Sequence, residues 1–183
     1  MTVSDPRELC RSLLEAELPR RWAHSQGVAR QAAGIGHTLN GAGALVESAA
    51  WLHDIGYASP LAHCGFHPLD GARYLRDNAI GDRHLWTLVA HHTGALIEAE
   101  GRGLGDQLAA EFPIDDVDPF LLAALTYCDM TTSPDGEIVD AKQRIDEILT
   151  RYPADHVVHR SISRAAPTLR AQVDKVIAHI GAA

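Results

Sequence analysis

Three features that mark common functional classes are missing from this sequence. No run of Lys or Arg in its 183 residues would follow a phosphate backbone, and 24 acidic against 16 basic residues give a formal net charge of −8. This balance argues against double-stranded DNA or RNA as a partner. No apolar stretch approaches the roughly 20 residues that span a bilayer, so we expect a soluble protein without a membrane partner. The length suits one domain with a sizeable core, over residues 1–183.

Cysteine is scarce, and the three that occur are not spaced as metal ligands. Cys10, Cys64 and Cys128 are an odd number without CxxC spacing, and the absence of clustered thiolates argues against a structural zinc site. No charged, then apolar, then small-residue leader opens the chain. These features together predict a cytoplasmic protein in a reducing compartment.

Apolar residues recur at helical spacing along nearly the whole chain, and strand-like alternation never exceeds a few residues. Leu9, Leu13 and Leu14 form one apolar face of a first helix, which Ser4 would cap. The apolar pattern is least regular over residues 93–116, which predicts a short helix within a long loop. Long loops in compact domains are often functional. The pattern predicts an all-α fold, a compact helical bundle. The predicted helices span about residues 4–17, 19–39, 42–54, 69–78, 83–92, 119–130, 138–152, 156–165 and 168–180.

Polar residues interrupt this apolar pattern, one inside the second predicted helix and the others at or near the ends of predicted helices. Asp54, beside His53, follows an apolar run of the kind that is buried in folded proteins. A buried carboxylate must have partners, because desolvating a charge costs several kcal/mol. A metal ion is a partner that the neighbouring imidazole could also bind. Imidazole and carboxylate ligands suit divalent iron, manganese, zinc, nickel or cobalt. The interrupting residues are His24, His53, Asp54, His67, His91, His92 and Asp129.

The ordered motifs "RRWAHSQGVA", "LHDIG" and "ALTYCDM" resemble the HD-domain metal-dependent phosphohydrolases, whose signature is a histidine, a His-Asp pair and a distant aspartate. Members with two metals add two histidines between the pair and the last aspartate, and "GFHPLDGARYL" and "LVAHHTGA" supply them here. The resemblance covers about residues 20–135 and implies an all-α core, followed here by C-terminal helices over 138–181. Exposed apolar faces on those last helices would support a homodimer.

The resemblance implies one or two divalent metal ions and assigns their ligands. It implies that His24, His53, Asp54 and Asp129 hold the first ion, with Asp54 bridging to a second held by His67 and His91. The adjacent His92 is an alternative to His91 as ligand, or else a donor to a ligand or a proton carrier. Asp54 and His92 are the catalytic candidates.

The chain departs from many HD-domain members at Tyr57, where they carry lysine after "HDIG". Tyr57 then borders the substrate, and a cation for the phosphoryl group must come from elsewhere. Arg21, three residues before His24, is one candidate. Arg73 and Arg76 are others, although all three would serve equally well as solvated charges on helix surfaces.

The resemblance implies hydrolysis of a phosphate ester or anhydride in a small phosphorylated metabolite or nucleotide. Water activated by the metal ions would attack, so no side-chain nucleophile is required. Two alternatives stay open at this stage. Relatives with the same ligand pattern hold two irons and use dioxygen on a small polyol or phosphonate, and a non-catalytic regulatory module would keep the fold without turnover.

Overall fold

The computed structural model describes residues 5–182, and this part of the chain is built from α-helices joined by turns and short 3-10 segments. Extended pairing within it is limited to one bridge between Thr132 and Ile138. The all-α prediction is therefore confirmed. No helix within this range is long and apolar enough to cross a membrane. The helices are α1 (Pro6–Leu14), α2 (Pro19–Ile35), α3 (Gly43–Leu52), α4 (His67–Asp77), α5 (Arg83–His91), α6 (Ala95–Gly101), α7 (Gly105–Glu111), α8 (Pro119–Met130), α9 (Ala141–Arg151) and α10 (Val157–Ile180).

Side-chain caps set several helix boundaries that differ from the sequence-based ones. Ser4, the predicted cap of α1, lies outside the described residues, and Asp5 accepts a hydrogen bond from the Arg7 backbone N–H instead. Helix α9 begins after Asp140, whose side chain forms a capping box with Gln143. The predicted start at Ile138 is therefore three residues early.

Two segments hold more helix than the sequence pattern predicts. The excursion over residues 93–116 contains two helices, α6 and α7, where one short helix was expected. The last two predicted helices form the single helix α10, which continues through Pro167. Apolar residues on both sides of Pro167 are buried along one stripe, including Ile162 and Leu169. Packing of that stripe offsets the backbone hydrogen bond that proline cannot make.

The core has a larger and a smaller part that meet at α8. The larger part packs α2, α3, α5 and α8 together through fully buried residues such as Val28, Leu52 and Leu125. The smaller part packs α9 and α10 over the end of α8 through Met130 and Ile145. The C-terminal helices thus close over the end of the bundle where Asp129 lies.

Two glycines let backbone segments approach closely beside the polar residues. A Cβ on Gly56 would lie 2.1 Å from the carbonyl oxygen of His67, so the 3-10 turn after α3 can touch the start of α4 only with glycine here. A Cβ on Gly27 would lie 2.5 Å from the Thr132 side chain, so α2 meets the segment after α8 in the same way. These contacts bring Asp54 beside His67 and His24 beside Asp129.

Candidate metal centre

Six side chains, three from α2, α4 and α8 and three from the residues that directly follow α3 and α5, converge as two groups of three at one end of the bundle. In each group every residue offers one ligand atom, and these atoms lie within 4.8 Å of one another. All six residues are buried except the half-buried His67. The first group is His24, His53 and Asp129, and the second is Asp54, His67 and His92.

Hydrogen bonds orient both imidazoles of the first group. The Nδ1–H of His24 donates to the Ser133 carbonyl oxygen at 2.9 Å, and that of His53 donates to the Ala50 carbonyl oxygen at 2.8 Å. A carbonyl oxygen can only accept, so Nδ1 of each ring is the donor to the backbone, and Nε2 is the ring atom that faces the rest of the group. The Nε2 atom of His24 lies 2.9 Å from Oδ1 of Asp129. Nε2 of His53 is buried without a hydrogen-bond partner. This pattern is typical of metal-ligating histidines.

The second group repeats this arrangement around Asp54. The Nδ1–H of His92 donates to the Val89 carbonyl oxygen at 2.7 Å, which directs Nε2 of His92 toward Nε2 of His67, 3.2 Å away. Nε2 of His67 in turn lies 3.3 Å from Oδ1 of Asp54. Two imidazole nitrogens and a carboxylate oxygen therefore face one another.

The carboxylate of Asp54 joins the two groups. Its Oδ1 faces His67, and its Oδ2 lies 3.5 Å from Nε2 of His53 in the first group. Its Oδ2 also accepts a hydrogen bond of 2.7 Å from Nη1 of Arg21. Asp54 is thus placed to share its two oxygens between two neighbouring cation positions.

Burial and charge set the protonation states that metal binding needs. Burial lowers the pKa of both His53 and His67 to about 4, so both rings are neutral at pH 7. Burial alone would raise the pKa of Asp54, but the contact with the His53 imidazole and the charge of Arg21 outweigh it and hold that pKa well below its usual range. Burial would likewise raise the pKa of Asp129, but the hydrogen bond with His24 and the nearby charge of Arg144 act together to hold that pKa below its usual range, so Asp129 stays ionised. Two buried carboxylates among neutral imidazoles fit divalent cations.

Comparison with known proteins assigns the chain to a family. The family model described as "HD domain" matches residues 21–128, which is more than half of the chain. The chain belongs to the HD-domain family. This membership places it in a superfamily of metal-dependent hydrolases, as the sequence motifs predicted. No curated protein and no solved structure gives a significant match.

The HD-domain match contains five of the six converging residues and ends at Cys128, directly before Asp129. Asp129 is nevertheless part of the first group, because α8 continues through it to Met130. The segment that follows the match also returns to the site, since Ser133 accepts the hydrogen bond from His24. The C-terminal part of this HD-domain protein therefore completes the centre.

The structure places His92, and not His91, in the second group. Helix α5 ends at His91, and the backbone turns out of the helix at His92, which has φ −54° and ψ 146°. The two rings therefore diverge. Nε2 of His91 donates to the Phe112 carbonyl oxygen at 2.7 Å, and its Nδ1 is buried without a partner. The sequence-based assignment of His91 as a ligand is replaced by its alternative, His92.

Arg21 and Tyr57 lie beside the two ligand groups. Both line the cavity that contains Asp54, His67 and His92. The guanidinium of Arg21 lies 3.9 Å from the centre of the Tyr57 ring, which stacks in turn on the ring of His67 at 3.9 Å between centres. Arg21 thus supplies a cation beside the site in a chain that has Tyr57 after "HDIG".

Arg73 and Arg76 lie outside this cavity, contrary to the expectation that they bind phosphate there. Both pair with Glu111 at the end of α7: Nε of Arg73 lies 3.0 Å from Oε2 of Glu111, and Nη1 of Arg76 lies 2.8 Å from the same oxygen. The two arginines connect α4 to α7. Their partner is more than thirty residues away in sequence, so spacing alone could not reveal it.

Sequence reasoning missed three residues at the site. Thr93 has a positive φ of 51° and donates a hydrogen bond from Oγ1 to Oδ2 of Asp129, which links the residue after His92 to the first group. Arg144 and Arg151 of α9 line the same cavity. A signal existed for Arg144, because it interrupts the buried apolar stripe of α9 between Ala141 and Ile148.

Proposed function

We propose that this HD-domain protein is a metal-dependent phosphohydrolase that acts on a small phosphorylated metabolite or nucleotide. The observation that carries the proposal is the pair of ligand groups that share the Asp54 carboxylate, beside a cavity lined by Arg21. Carboxylate and imidazole ligands with an adjacent guanidinium suit cleavage of a phosphate ester or anhydride. Membership of the HD-domain family supports the same reaction class.

The six side chains would hold two divalent ions of iron, manganese, nickel, cobalt or zinc. His24, His53 and Asp129 would hold one, His67 and His92 the other, and Asp54 would contact both. The chemistry supplied by such ions is the activation of water at neutral pH and the neutralisation of charge on phosphoryl oxygens. Neutral imidazoles and ionised carboxylates suit this role without further proton release.

The residues around the ligands would bind and orient the substrate. Arg21 presents a guanidinium at the cavity wall and can bind nonbridging phosphoryl oxygens in the fork geometry that arginine favours. Stacking on Tyr57 fixes the plane of that guanidinium. Both ring nitrogens of His92 are engaged, one with Val89 and one toward His67, so the geometry supports a ligand and not a proton carrier.

The alternative reaction, oxidation by dioxygen at two irons, uses the same kinds of ligand. The guanidinium groups that line the cavity match the charge of a phosphoryl group, which favours the hydrolase over oxidation of an uncharged polyol; a phosphonate would fit them equally well. The assay therefore has to separate the two reactions by their use of oxygen.

The test is phosphate release from a panel of nucleotides and phosphorylated metabolites, under air and under nitrogen, with protein loaded separately with each of the five metals. We expect release that is independent of oxygen and is abolished in Asp54→Ala, with helical circular dichroism retained. Arg11→Ala is the matched control, since Arg11 is an exposed, paired arginine of α1 that does not line the cavity. Substrate loss that requires iron and consumes oxygen would contradict the hydrolase, and the absence of turnover with every metal would favour a regulatory module.

A further inference from the structure

The cavity at the ligand groups continues into a basic recess that faces α9. Side chains of Arg20, Arg21, Arg144 and Arg151 line the recess, together with His24 and Pro134. No acidic residue is among these lining residues. His24, Arg21 and both α9 arginines also line the cavity of the ligand groups, so the two spaces adjoin.

The arginines of the recess differ in how many of their N–H donors are paired with acidic side chains. Arg20 is exposed and pairs with Asp135 through two hydrogen bonds of 2.8 Å. Arg21 binds Asp54. Arg144 and Arg151 share a single acidic partner, Glu147. Two guanidinium groups against one carboxylate leave this part of α9 with a net positive charge.

Arg144 is the residue that points most clearly to a ligand. Its side chain is only 6% exposed, and its Nε is buried with no hydrogen-bond partner. A buried donor without a partner destabilises the folded protein, and more so when it belongs to a charged group. A bound anion would accept from Arg144, whose paired N–H donors suit the bidentate geometry that carboxylates and phosphates share. Such a group would restore the missing partner.

Helix α9 lies beyond the HD-domain match, which ends at residue 128. The recess therefore combines residues of the matched region, such as Arg21, with residues that this chain adds after it. Its position beside His24 places it next to the first ligand group, and not on a separate face of the protein.

We propose that Arg144 and Arg151 form an anion subsite for a second negatively charged group of the substrate. The preferred substrates would then carry a phosphate or carboxylate in addition to the phosphoryl group that is cleaved. The identification of the bound anion as part of a substrate rests on the proposed hydrolase function. Anion binding at the subsite does not depend on turnover.

A binding measurement tests the subsite without turnover. Sulfate is titrated by calorimetry into metal-loaded protein and into chelator-treated protein, with Arg144→Gln, Arg144→Lys, Arg151→Gln and Arg11→Gln as variants. We expect sulfate binding in both metal states, weakened at least tenfold by Arg144→Gln and less by Arg144→Lys. Arg151 is partly exposed, so Arg151→Gln should fold and still weaken binding, whereas Arg11→Gln should match the wild type. Equal affinity of the wild type and Arg151→Gln, or no binding after chelation, would overturn the proposal.

A kinetic measurement tests the link to the substrate. Glycerol 3-phosphate and 3-phosphoglycerate are matched probes. The second has a carboxylate in place of the hydroxymethyl group of the first. We expect a lower KM for 3-phosphoglycerate in the wild type, and Arg144→Gln should raise this KM at least tenfold more than that for glycerol 3-phosphate. An equal effect on both KM values would overturn the role in selecting doubly anionic substrates. If neither compound is hydrolysed with any metal, the sulfate titration decides the subsite, and the substrate panel described above decides the hydrolase proposal separately.

Discussion

Of the two adjacent histidines at the end of α5, only one should affect metal binding when it is replaced. His92 supplies one of the three ligand atoms of the second group, and its Nε2 lies 3.2 Å from that of His67 and 4.0 Å from Oδ1 of Asp54. The ring of His91 instead contacts the Phe112 carbonyl oxygen. His92→Gln should therefore weaken metal binding, whereas His91→Gln should not.

The size of the effect follows from linkage between metal binding and folding. A metal ion present at about 100 times its dissociation constant stabilises the folded state by about 2.7 kcal/mol. If the loss of His92 weakens binding about 100-fold, the upper end of the range measured for loss of a group that only orients a ligand, that gain falls to about 0.4 kcal/mol at the same concentration. At about 2–4 °C per kcal/mol for a chain of this size, about 5–9 °C of the metal-dependent rise in Tm should disappear.

The assay is thermal unfolding with and without Co²⁺ for the wild type and both variants. His91→Gln keeps an N–H that can reach the Phe112 carbonyl oxygen, so it should lower the metal-free Tm only modestly and keep the full metal-dependent rise. The reverse pattern, with the rise lost in His91→Gln and kept in His92→Gln, would refute the assignment of His92 as ligand.

Three further predictions concern a hydrogen bond to a candidate ligand, a close backbone contact and an ion pair between two helices. Thr93→Val should weaken metal binding about tenfold, measured by chelator competition, because it removes the hydrogen bond to Asp129, and Thr93→Ser should not. Gly56→Ala should destabilise the protein to urea by about 1–3 kcal/mol, because its Cβ would meet backbone of α4, whereas Gly34→Ala, with open space around it, should not. Hydrogen bonds from the two α4 arginines lower the pKa of Glu111 to about 2 against the effect of burial. Because this pKa is depressed, the stability it provides is present above about pH 4.5 and is lost as the pH falls toward 2. Glu111→Gln should therefore cost about 1 kcal/mol in urea unfolding at pH 7 and progressively less below pH 4.5, and a difference that does not change with pH would contradict this account.

The sequence pattern predicts most of the centre because its ligands are polar interruptions of apolar helices. His24, His53, Asp54 and Asp129 stand out in this way, and the structure brings all four together. The choice between His91 and His92 depends on the residue at which α5 ends. Periodicity cannot fix a helix end to one residue.

Other features depend on contacts between distant parts of the chain. Arg73 and Arg76 have the spacing of phosphate ligands near His67, but Glu111 from another helix binds them. Arg144 approaches the site only because α9 folds over the end of α8. Local sequence patterns contain no information about such contacts.

Anomalous diffraction from crystals grown with Mn²⁺ would test the central claim most directly. The account predicts two anomalous peaks on either side of the Asp54 carboxylate, one bound by His24, His53 and Asp129 and the other by His67 and His92. Crystals of Asp54→Ala should lose at least one of these peaks. A wild-type map without a peak at Asp54, or with manganese bound by other residues, would contradict it.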